Sequence, residues 1–440
     1  MYKRQDGYAA LVFTARDWKR LVEMIDDDRL SDPRYARHRD RRQLVGEYVP
    51  VLAQWASTRT KAELEELFLR FAIPAAAVST PEDLLTDVSL AHRNVFERAV
   101  VEGVAVPLPR APVRTTTAKS AAPVPMDEIG PTDLPLAGVR VLDLGVLTAG
   151  AGTSSLLADL GAEVIKVESA ERPDMFRFWS GSEDSPLFHF SNRSKLGIDL
   201  NLKEPTGRET FLDLVAQADV VVENFRRGVL ERLGLGFGQL CAANPRIVLG
   251  SVSGQGSAGP RSGHTTFGST LEAASGFSAM TAGADGVPVV SGPNLNLPDQ
   301  IVCLFAAAAL TAAVVQSRAV GRAAHLDISQ RDVAVYACAP IIEQSARGAA
   351  PRTWLVESDA DDGWAAVGAD GSTRATALDG QGVLDACLEA GTSAIVRASD
   401  GTLVKGFPFT FEHRAMTIRG AAPGIGEHNE RILESMTRQE

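Results

Sequence analysis

Asp299 is the residue of this chain whose type and setting best suit it to do chemistry. It closes a turn-rich loop, Ser291-Gly-Pro-Asn-Leu-Asn-Leu-Pro-Asp299, and precedes a run of apolar or small residues, Ile301–Val315. Proline and asparagine favour turns, whereas a long apolar run without glycine or proline indicates a buried helix. The pattern therefore predicts a carboxylate on a rigid loop, at or just before a helix start. Such a carboxylate most often caps the helix by accepting a backbone N–H.

Composition and charge restrict the class of protein. A chain of 440 residues is longer than one hydrophobic core usually grows, so two or more domains are expected. The formal net charge of −11 repels nucleic acid and anionic membranes, which argues against a nucleic-acid partner. No apolar run reaches the roughly 20 residues that span a bilayer, and no N-terminal segment resembles a signal peptide. The sequence therefore predicts no membrane partner and a cytoplasmic location.

The cysteines argue for a reducing compartment. Cys241, Cys303, Cys338 and Cys387 are far apart, lie in apolar or alanine-rich surroundings and have no CxxC spacing. We therefore expect buried thiols rather than disulfides or zinc ligands, and we predict no metal site.

Changes in composition along the chain predict the domain boundaries. Residues 6–117 are expected to form a small domain, in which a strand near Tyr8 precedes helices at Asp17–Ile25, Gln43–Ser57 and Lys61–Phe71. Residues 118–135 are rich in Ala, Pro, Thr and Ser without any periodicity, and they are predicted to be a linker.

A strand, a glycine turn, a helix and a second strand open the next domain. The strands are predicted at Val139–Gly145 and Ala162–Glu168, on either side of the small-residue turn Thr148–Ser155 and a short helix. Such a βαβ unit predicts parallel pairing in an α/β sheet. Further elements are expected downstream, namely strands at Asp219–Glu223 and Arg246–Val252 and helices at Thr206–Gln217 and Leu230–Ala243.

The same unit allows a rival interpretation, a nicotinamide-dependent dehydrogenase. Gly150-Ala-Gly152 follows a strand and Glu168 closes the next one, which resembles a dinucleotide-binding fingerprint. The third glycine is missing, however, because Ser155 occupies its place, and no histidine suits proton transfer. We therefore favour the simpler interpretation that the two glycines allow close helix packing.

Seven stretches in one order carry a family resemblance: Pro135–Leu144, Leu157–Glu168, Asn192–Lys203, Glu223–Gly234, Asn244–Val248, Ser251–Gly256 and Leu326–Ser329. Together they resemble the class III CoA-transferase family, which includes formyl-CoA and carnitine CoA-transferases and the related α-methylacyl-CoA racemases. The resemblance implies an α/β fold, with a Rossmann-like large domain built on a parallel sheet at residues 136–338 and smaller α+β domains.

The order of the resembling segments is unusual. Residues 6–117 resemble the family's distal small domain, yet they precede the large domain. Residues 339–400 resemble a shortened second copy of that small domain, and residues 401–435 resemble the closing segment that returns to the large domain. The resemblance therefore implies a tandem fusion of two family units, of which the first is truncated, and a partial sequence.

The resemblance gives Asp299 the role of nucleophile, because Pro288-Val-Val-Ser-Gly292 matches the stretch before the family's catalytic aspartate. The carboxylate would attack an acyl-CoA thioester to form a mixed anhydride, and the released CoA thiolate would then form an aspartyl-CoA thioester. CoA is thus implied as a substrate, with no permanently bound cofactor. The positions that match the family's CoA contacts are Leu147, Thr148, Ala149, Arg193, Lys195, Asn224, Phe225, Arg226 and Arg232.

Departures from the family pattern keep two alternatives open. Pro298 replaces the usual glycine before the catalytic aspartate, and the family's glycine-rich loop has no clear counterpart between Ala339 and Asp361. Both favour a non-catalytic CoA-binding half of a fused enzyme. An acyl-CoA racemase is a third reading, but Phe267 stands where the racemases have a histidine, unless nearby His264 substitutes for it. The expected partners are an acyl-CoA and a carboxylic acid, in a homodimer or in a pseudo-dimer within one chain.

Overall fold

The computed structural model divides the chain into two compact units. The first contains Met1–Pro112, Gly254–Asp299 and Ser329–Ala377, and the second contains Val113–Ser253, Gln300–Ile328 and Leu378–Glu440. The structure describes residues 2–3, 6–120, 134–179, 185–283, 287–291, 296–348, 354–358, 364–367, 373–376, 380–397 and 403–437.

In chain order, the strands within these residues are β1 (Tyr2–Lys3), β2 (Tyr8–Leu11), β3 (Ala75–Ala77), β4 (Phe96–Val101), β5 (Val104–Pro109), β6 (Val113–Ser120), β7 (Arg140–Asp143), β8 (Glu163–Glu168), β9 (Leu196–Asp199), β10 (Val220–Glu223), β11 (Val248–Ser253), β12 (Thr281–Gly283), β13 (Arg322–Ser329), β14 (Trp354–Ser358), β15 (Trp364–Val367), β16 (Thr373–Thr376), β17 (Ile395–Arg397) and β18 (Leu403–Lys405).

The α-helices within the same residues are α1 (Trp18–Ile25), α2 (His38–Gln43), α3 (Val45–Ser57), α4 (Lys61–Arg70), α5 (Pro81–Thr86), α6 (Val88–His92), α7 (Ala149–Asp159), α8 (Pro186–Asn192), α9 (Pro205–Ala216), α10 (Val229–Arg232), α11 (Phe237–Ala243), α12 (Gly268–Ser275), α13 (Phe277–Met280), α14 (Leu297–Val320), α15 (Gln330–Ala337), α16 (Ala339–Ala346), α17 (Gly380–Glu389) and α18 (Asn429–Thr437).

The second unit confirms the predicted α/β architecture. Within the described residues, its main sheet has seven strands in the order β6-β13-β11-β10-β7-β8-β9. Strands β7 to β11 pair in parallel, and β6 pairs with β13 in the antiparallel direction. The predicted βαβ unit is β7, α7 and β8, whose strands are buried because helices cover parallel sheets on both faces.

Three local predictions in this unit were wrong. The turn predicted at Thr148–Ser155 is helical instead, since α7 already begins at Ala149. The helix expected at Leu230–Ala243 is divided into α10 and α11, because Gly234 adopts a left-handed conformation, with φ of 73°, that ends the first of them. The expected linker cannot begin at Ala118, since Ala118–Ser120 still belongs to strand β6. Residues 121–133, which make up most of that linker, lie outside the described residues.

The first unit joins segments that are far apart in the sequence. Its N-terminal part has its own hydrophobic core, formed by Trp18, Leu21, Leu52, Leu64 and Phe68 among others. The same unit contains residues 254–299 and 329–377. The region predicted as one large domain, 136–338, is therefore divided between the two units, because side chains of the N-terminal segment pair with residues about 240 positions later.

Helix α14 begins earlier and ends later than predicted. It starts at Leu297 rather than after Asp299, and Gln316, Ser317 and Arg318 extend it past Val315. At 24 residues and a hydropathy of 1.8 it is long and apolar enough to cross a membrane, so the prediction that no such run exists was wrong. One such helix is weak evidence of a membrane span, since the core helix of a soluble protein can be equally long and apolar.

Candidate functional site

The Asp299 carboxylate is half-buried in the first turn of α14, inside the first unit. Its Oδ1 accepts a hydrogen bond of 2.6 Å from the side-chain amide of Gln330, at the start of α15. Burial raises the pKa of Asp299 to about 6; the Gln330 hydrogen bond opposes this rise and the charge of Glu272 adds to it. The carboxylate is therefore mostly ionised at pH 7, yet it is a stronger base than an exposed aspartate, which suits a nucleophile.

Glu272 holds both ends of the loop that leads to Asp299. The Glu272 side chain, 4% exposed on α12, accepts hydrogen bonds from the Ser291 backbone N–H at 2.7 Å, the Leu297 N–H at 3.0 Å and the Ser291 hydroxyl. Residues 292–295 between these contacts lie outside the described residues, and so does Gly292 of the family-like stretch. Sequence reasoning missed Glu272, although a lone acid within an apolar helical run was the available signal.

Gly268 leaves room for the carboxylate. A Cβ at this position would lie 2.7 Å from Asp299 Oδ2 and 2.1 Å from Asn296 Cβ, both closer than atoms can pack. Among the described residues, the buried Oδ1 of Asn296 has no hydrogen-bond partner. Because buried polar atoms are normally paired, this oxygen is available to a donor on a substrate.

Replacing Gly268 with alanine is expected to lower the reactivity of Asp299 at least tenfold, because the new methyl group must displace the carboxylate or Asn296 at a cost of about 1–3 kcal/mol. The rate of covalent adduct formation at Asp299 measures the effect. Gly263→Ala is the matched control, since an added Cβ there meets nothing within 4 Å. Equal rates in the two variants would show that the tight fit at Gly268 has no role in the reaction.

The proposed CoA-contacting turns lie together in the second unit. Strands β7 and β10 are neighbours, although the chain passes from β7 through β8 and β9 before it returns to β10. Asn224, after β10, accepts the Val146 N–H at 2.8 Å and donates to the Val146 carbonyl at 2.9 Å, after β7. The carboxyl ends of strands at such a topological switch point are where open α/β sheets bind ligands.

The predicted CoA residues at this switch point present both backbone and charged groups. Leu147 has a left-handed backbone, with φ of 57°, and its N–H donates to the Asp174 carboxylate. Thr148 and Ala149 begin α7. Phe225 packs against the core of this unit, whereas the Arg226 and Arg232 side chains are exposed.

Lys195 and Arg193 have internal partners instead. Lys195 Nζ, fully buried, donates to Asp143 Oδ2 at 2.8 Å and also contacts the Ala151 carbonyl, the Ser154 hydroxyl and Asn192 Oδ1. Arg193 pairs with Asp159 at 3.0 Å and donates to the carbonyls of Lys405 and Gly406, so it joins the returning C-terminal segment to the end of α7. Their predicted contact with CoA is untested, and their geometry is that of structural cations.

The contacts of His264 do not support it as a substitute for the missing racemase histidine. Its Nε2 lies 2.9 Å from the Ile73 carbonyl, so this nitrogen is the donor in that contact. Burial lowers the pKa of His264, which favours the neutral ring. Phe267 occupies the N-cap position of α12. A two-base proton exchange at Asp299 thus finds no support in this geometry.

The sequence of this chain is similar to those of known CoA-transferases. A model of CoA-transferase family III matches residues 1–127 and 136–378. The probable CoA-transferase Rv1866 of Mycobacterium tuberculosis is 31% identical over 363 residues, which are 76% of this chain and 46% of that protein. The succinate–glutarate CoA-transferase of Agrobacterium fabrum is 34% identical over 208 residues, 45% of this chain and 52% of that protein. The chain spans about half the length of these relatives.

Two solved structures have a fold similar to that of this chain. A CaiB/BaiF family protein from Brucella suis superposes with a TM-score of 0.58 and 23% identity, over 69% of this chain and all of that one. The hypothetical protein Rv3272 of Mycobacterium tuberculosis gives a TM-score of 0.58 and 22% identity, over 68% of this chain and 99% of that one. At these identities the likeness supports the fold alone.

Proposed function

Because the chain belongs to CoA-transferase family III, we propose that it takes part in CoA transfer from an acyl-CoA thioester to a carboxylic acid, with Asp299 as the nucleophile. The observation that carries this proposal is the Asp299 carboxylate itself. It is held by Gln330, has a pKa of about 6 and faces a glycine where any side chain would collide with it.

The proposed chemistry has four steps. The Asp299 carboxylate attacks the thioester carbonyl and the C–S bond breaks. CoA leaves as a thiolate, and an acyl-aspartyl anhydride remains on the protein. The thiolate then attacks the aspartyl carbonyl, which releases the first acid and leaves an aspartyl-CoA thioester. The acceptor carboxylate attacks this thioester to form a second anhydride and free the thiolate again. Attack of the thiolate on the acceptor's carbonyl yields the new acyl-CoA and regenerates Asp299.

The second unit supports the CoA part of the proposal. CoA carries phosphates, which bind to backbone N–H groups at helix starts and to arginine side chains. The first turn of α7, which starts at Thr148 and Ala149, offers such N–H groups because they lack intrahelical partners. Arg226 and Arg232 are exposed cations beside the neighbouring turn. Lys195 and Arg193 would act indirectly, by holding β7, α7 and α8 in place.

The alternative of a non-catalytic CoA-binding half loses one of its arguments. Pro298 occupies the second position of α14, where the N–H of any residue lacks an intrahelical partner, so a proline there costs no helical hydrogen bond. The stretch from Ala339 to Asp361, which has no clear counterpart of the family's glycine-rich loop, begins with α16. That departure still favours the alternative, as does the chain's match to about half the length of its relatives.

Intact-protein mass spectrometry with a panel of acyl-CoAs tests the proposal. Relatives of the chain are named for succinate, glutarate, oxalate and acetyl-CoA, so the panel starts with succinyl-CoA, glutaryl-CoA, oxalyl-CoA and acetyl-CoA. We expect an acyl- or CoA-sized adduct on the wild type that hydroxylamine removes and that Asp299→Ala never forms. If the protein binds CoA while wild type and variant keep the same mass throughout, the non-catalytic alternative is correct.

A further inference from the structure

We propose that Gln330 is the positioning residue for the Asp299 carboxylate, and that the N-terminal segment fixes Gln330 by pairing with the two residues that follow it. This inference rests on the nucleophile role proposed above for Asp299. It concerns side chains that lie entirely within the first unit.

Gln330 acts on Asp299 directly. Its Nε2 donates to Asp299 Oδ1 at 2.6 Å, and the Gln330 side chain is 8% exposed, so little water competes for the bond. An amide donor cannot lose its proton near neutral pH, and donation to a carboxylate stabilises the ionised form. Glu272, on α12, is a charged group that faces Asp299 and acts in the opposite direction. Gln330 therefore keeps the carboxylate both oriented and ionised.

The first turn of α15 holds Gln330 in place. Ser329 caps this helix through its hydroxyl, which accepts the Asp332 N–H at 3.1 Å. Successive helical side chains point about 100° apart, so neighbouring residues reach different partners. Gln330 faces Asp299, whereas the Arg331 and Asp332 side chains form ion pairs elsewhere; both residues are 1% exposed.

Both buried charges pair with the N-terminal segment. Arg331 makes a two-pronged pair with Asp87, its Nη1 and Nη2 lying 3.2 and 2.8 Å from the two carboxylate oxygens, and its Nε donates to the Ala274 carbonyl on α12 at 3.0 Å. Asp332 Oδ2 accepts the Arg93 Nε–H at 2.8 Å, with both side chains almost fully buried.

These partners lie at the two ends of one short helix. Asp87 is the N-cap of α6 and accepts the Ser89 and Leu90 N–H groups, and Arg93 follows the last residue of that helix. Two ion pairs, one at each end of α6, therefore connect this helix to the start of α15. Because breaking a buried pair leaves an uncompensated charge, these two pairs resist movement of the first turn of α15, which carries Gln330.

Gln330→Leu tests the direct contact. Loss of the donor should raise the pH midpoint of Asp299 ionisation by about one unit, so adduct formation below pH 6 should slow about tenfold while the rate at high pH changes less. Gln344→Leu, the same substitution on α16 of this unit, is the control and should leave the midpoint unchanged. An unchanged midpoint in Gln330→Leu would overturn the proposal.

The ion pairs between α6 and α15 must be tested with variants that still fold. The double variant Arg93→Met/Asp332→Leu removes both members of one buried ion pair. Proteins tolerate this better than the removal of one member. Asp87→Asn is the milder variant, since asparagine still caps α6. Cooperative thermal unfolding confirms that each variant is folded. The proposal predicts an upward shift of the Asp299 midpoint in both; folded variants with the wild-type midpoint would contradict the role of the N-terminal segment.

The ionisation of Asp299 is also measured without turnover, by a ¹³C NMR titration of labelled aspartate carboxyls from which the Asp299→Asn spectrum is subtracted. If the wild type forms no adduct yet Gln330→Leu moves this NMR midpoint upward, the proposed function fails and the positioning role stands. If adducts form but neither readout responds to Gln330→Leu, the proposed function stands and the positioning role fails.

Discussion

Replacing Asp299 with asparagine is expected to lower the rate of CoA transfer by about four orders of magnitude, with CoA affinity unchanged to within about twofold. Asparagine has the same shape and still offers Oδ1 to Gln330, whose amide donates to that atom in the wild type. It carries no negative charge, however, and an amide oxygen is too weak a nucleophile to open a thioester. The variant thus removes the chemistry and keeps the packing.

Two measurements separate these effects: initial rates with an acyl-CoA and an acid acceptor, and calorimetric titration with CoA. Asp213→Asn, an exposed aspartate on α9, is the matched control and should keep the full rate. Peptide mapping of residue 299 excludes deamidation back to aspartate. A rate within tenfold of the wild type would show that Asp299 is only part of the helix start.

Replacing Lys195 with methionine is expected to destabilise the protein by about 3–5 kcal/mol. The Lys195 ammonium group is completely buried and lies 2.8 Å from Asp143 Oδ2, with three further oxygen partners. Methionine fills much of the volume of lysine, yet it leaves the Asp143 charge without its buried partner. The loss should therefore appear as a lower free energy of unfolding of the second unit.

Urea unfolding followed by tryptophan fluorescence and circular dichroism measures this loss. Lys203→Met, at an exposed lysine of the same unit, should change the stability by less than about 0.5 kcal/mol. The experiment also tests the sequence-based prediction that Lys195 contacts CoA. A variant with unchanged stability and a much weaker CoA affinity would favour a phosphate contact over the structural role.

Local pattern alone predicted much of this protein. The βαβ unit could be predicted because each of its strands is a short apolar run bounded by glycine or small residues, and the structure has β7, α7 and β8 there. Asp299 could be selected because turn-forming residues and a long apolar run lie on either side of it. Both features depend on backbone preferences and periodicity, which act over a few residues.

Only the tertiary structure revealed what surrounds Asp299 and where the cations point. Gln330 lies 31 positions after Asp299, and Arg93 lies 239 positions before Asp332, so no local pattern connects them. Lys195 matches a ligand position in sequence, yet packing buries it against Asp143. Whether a side chain faces solvent, substrate or another charge depends on contacts between distant segments, and these form only when the chain is folded.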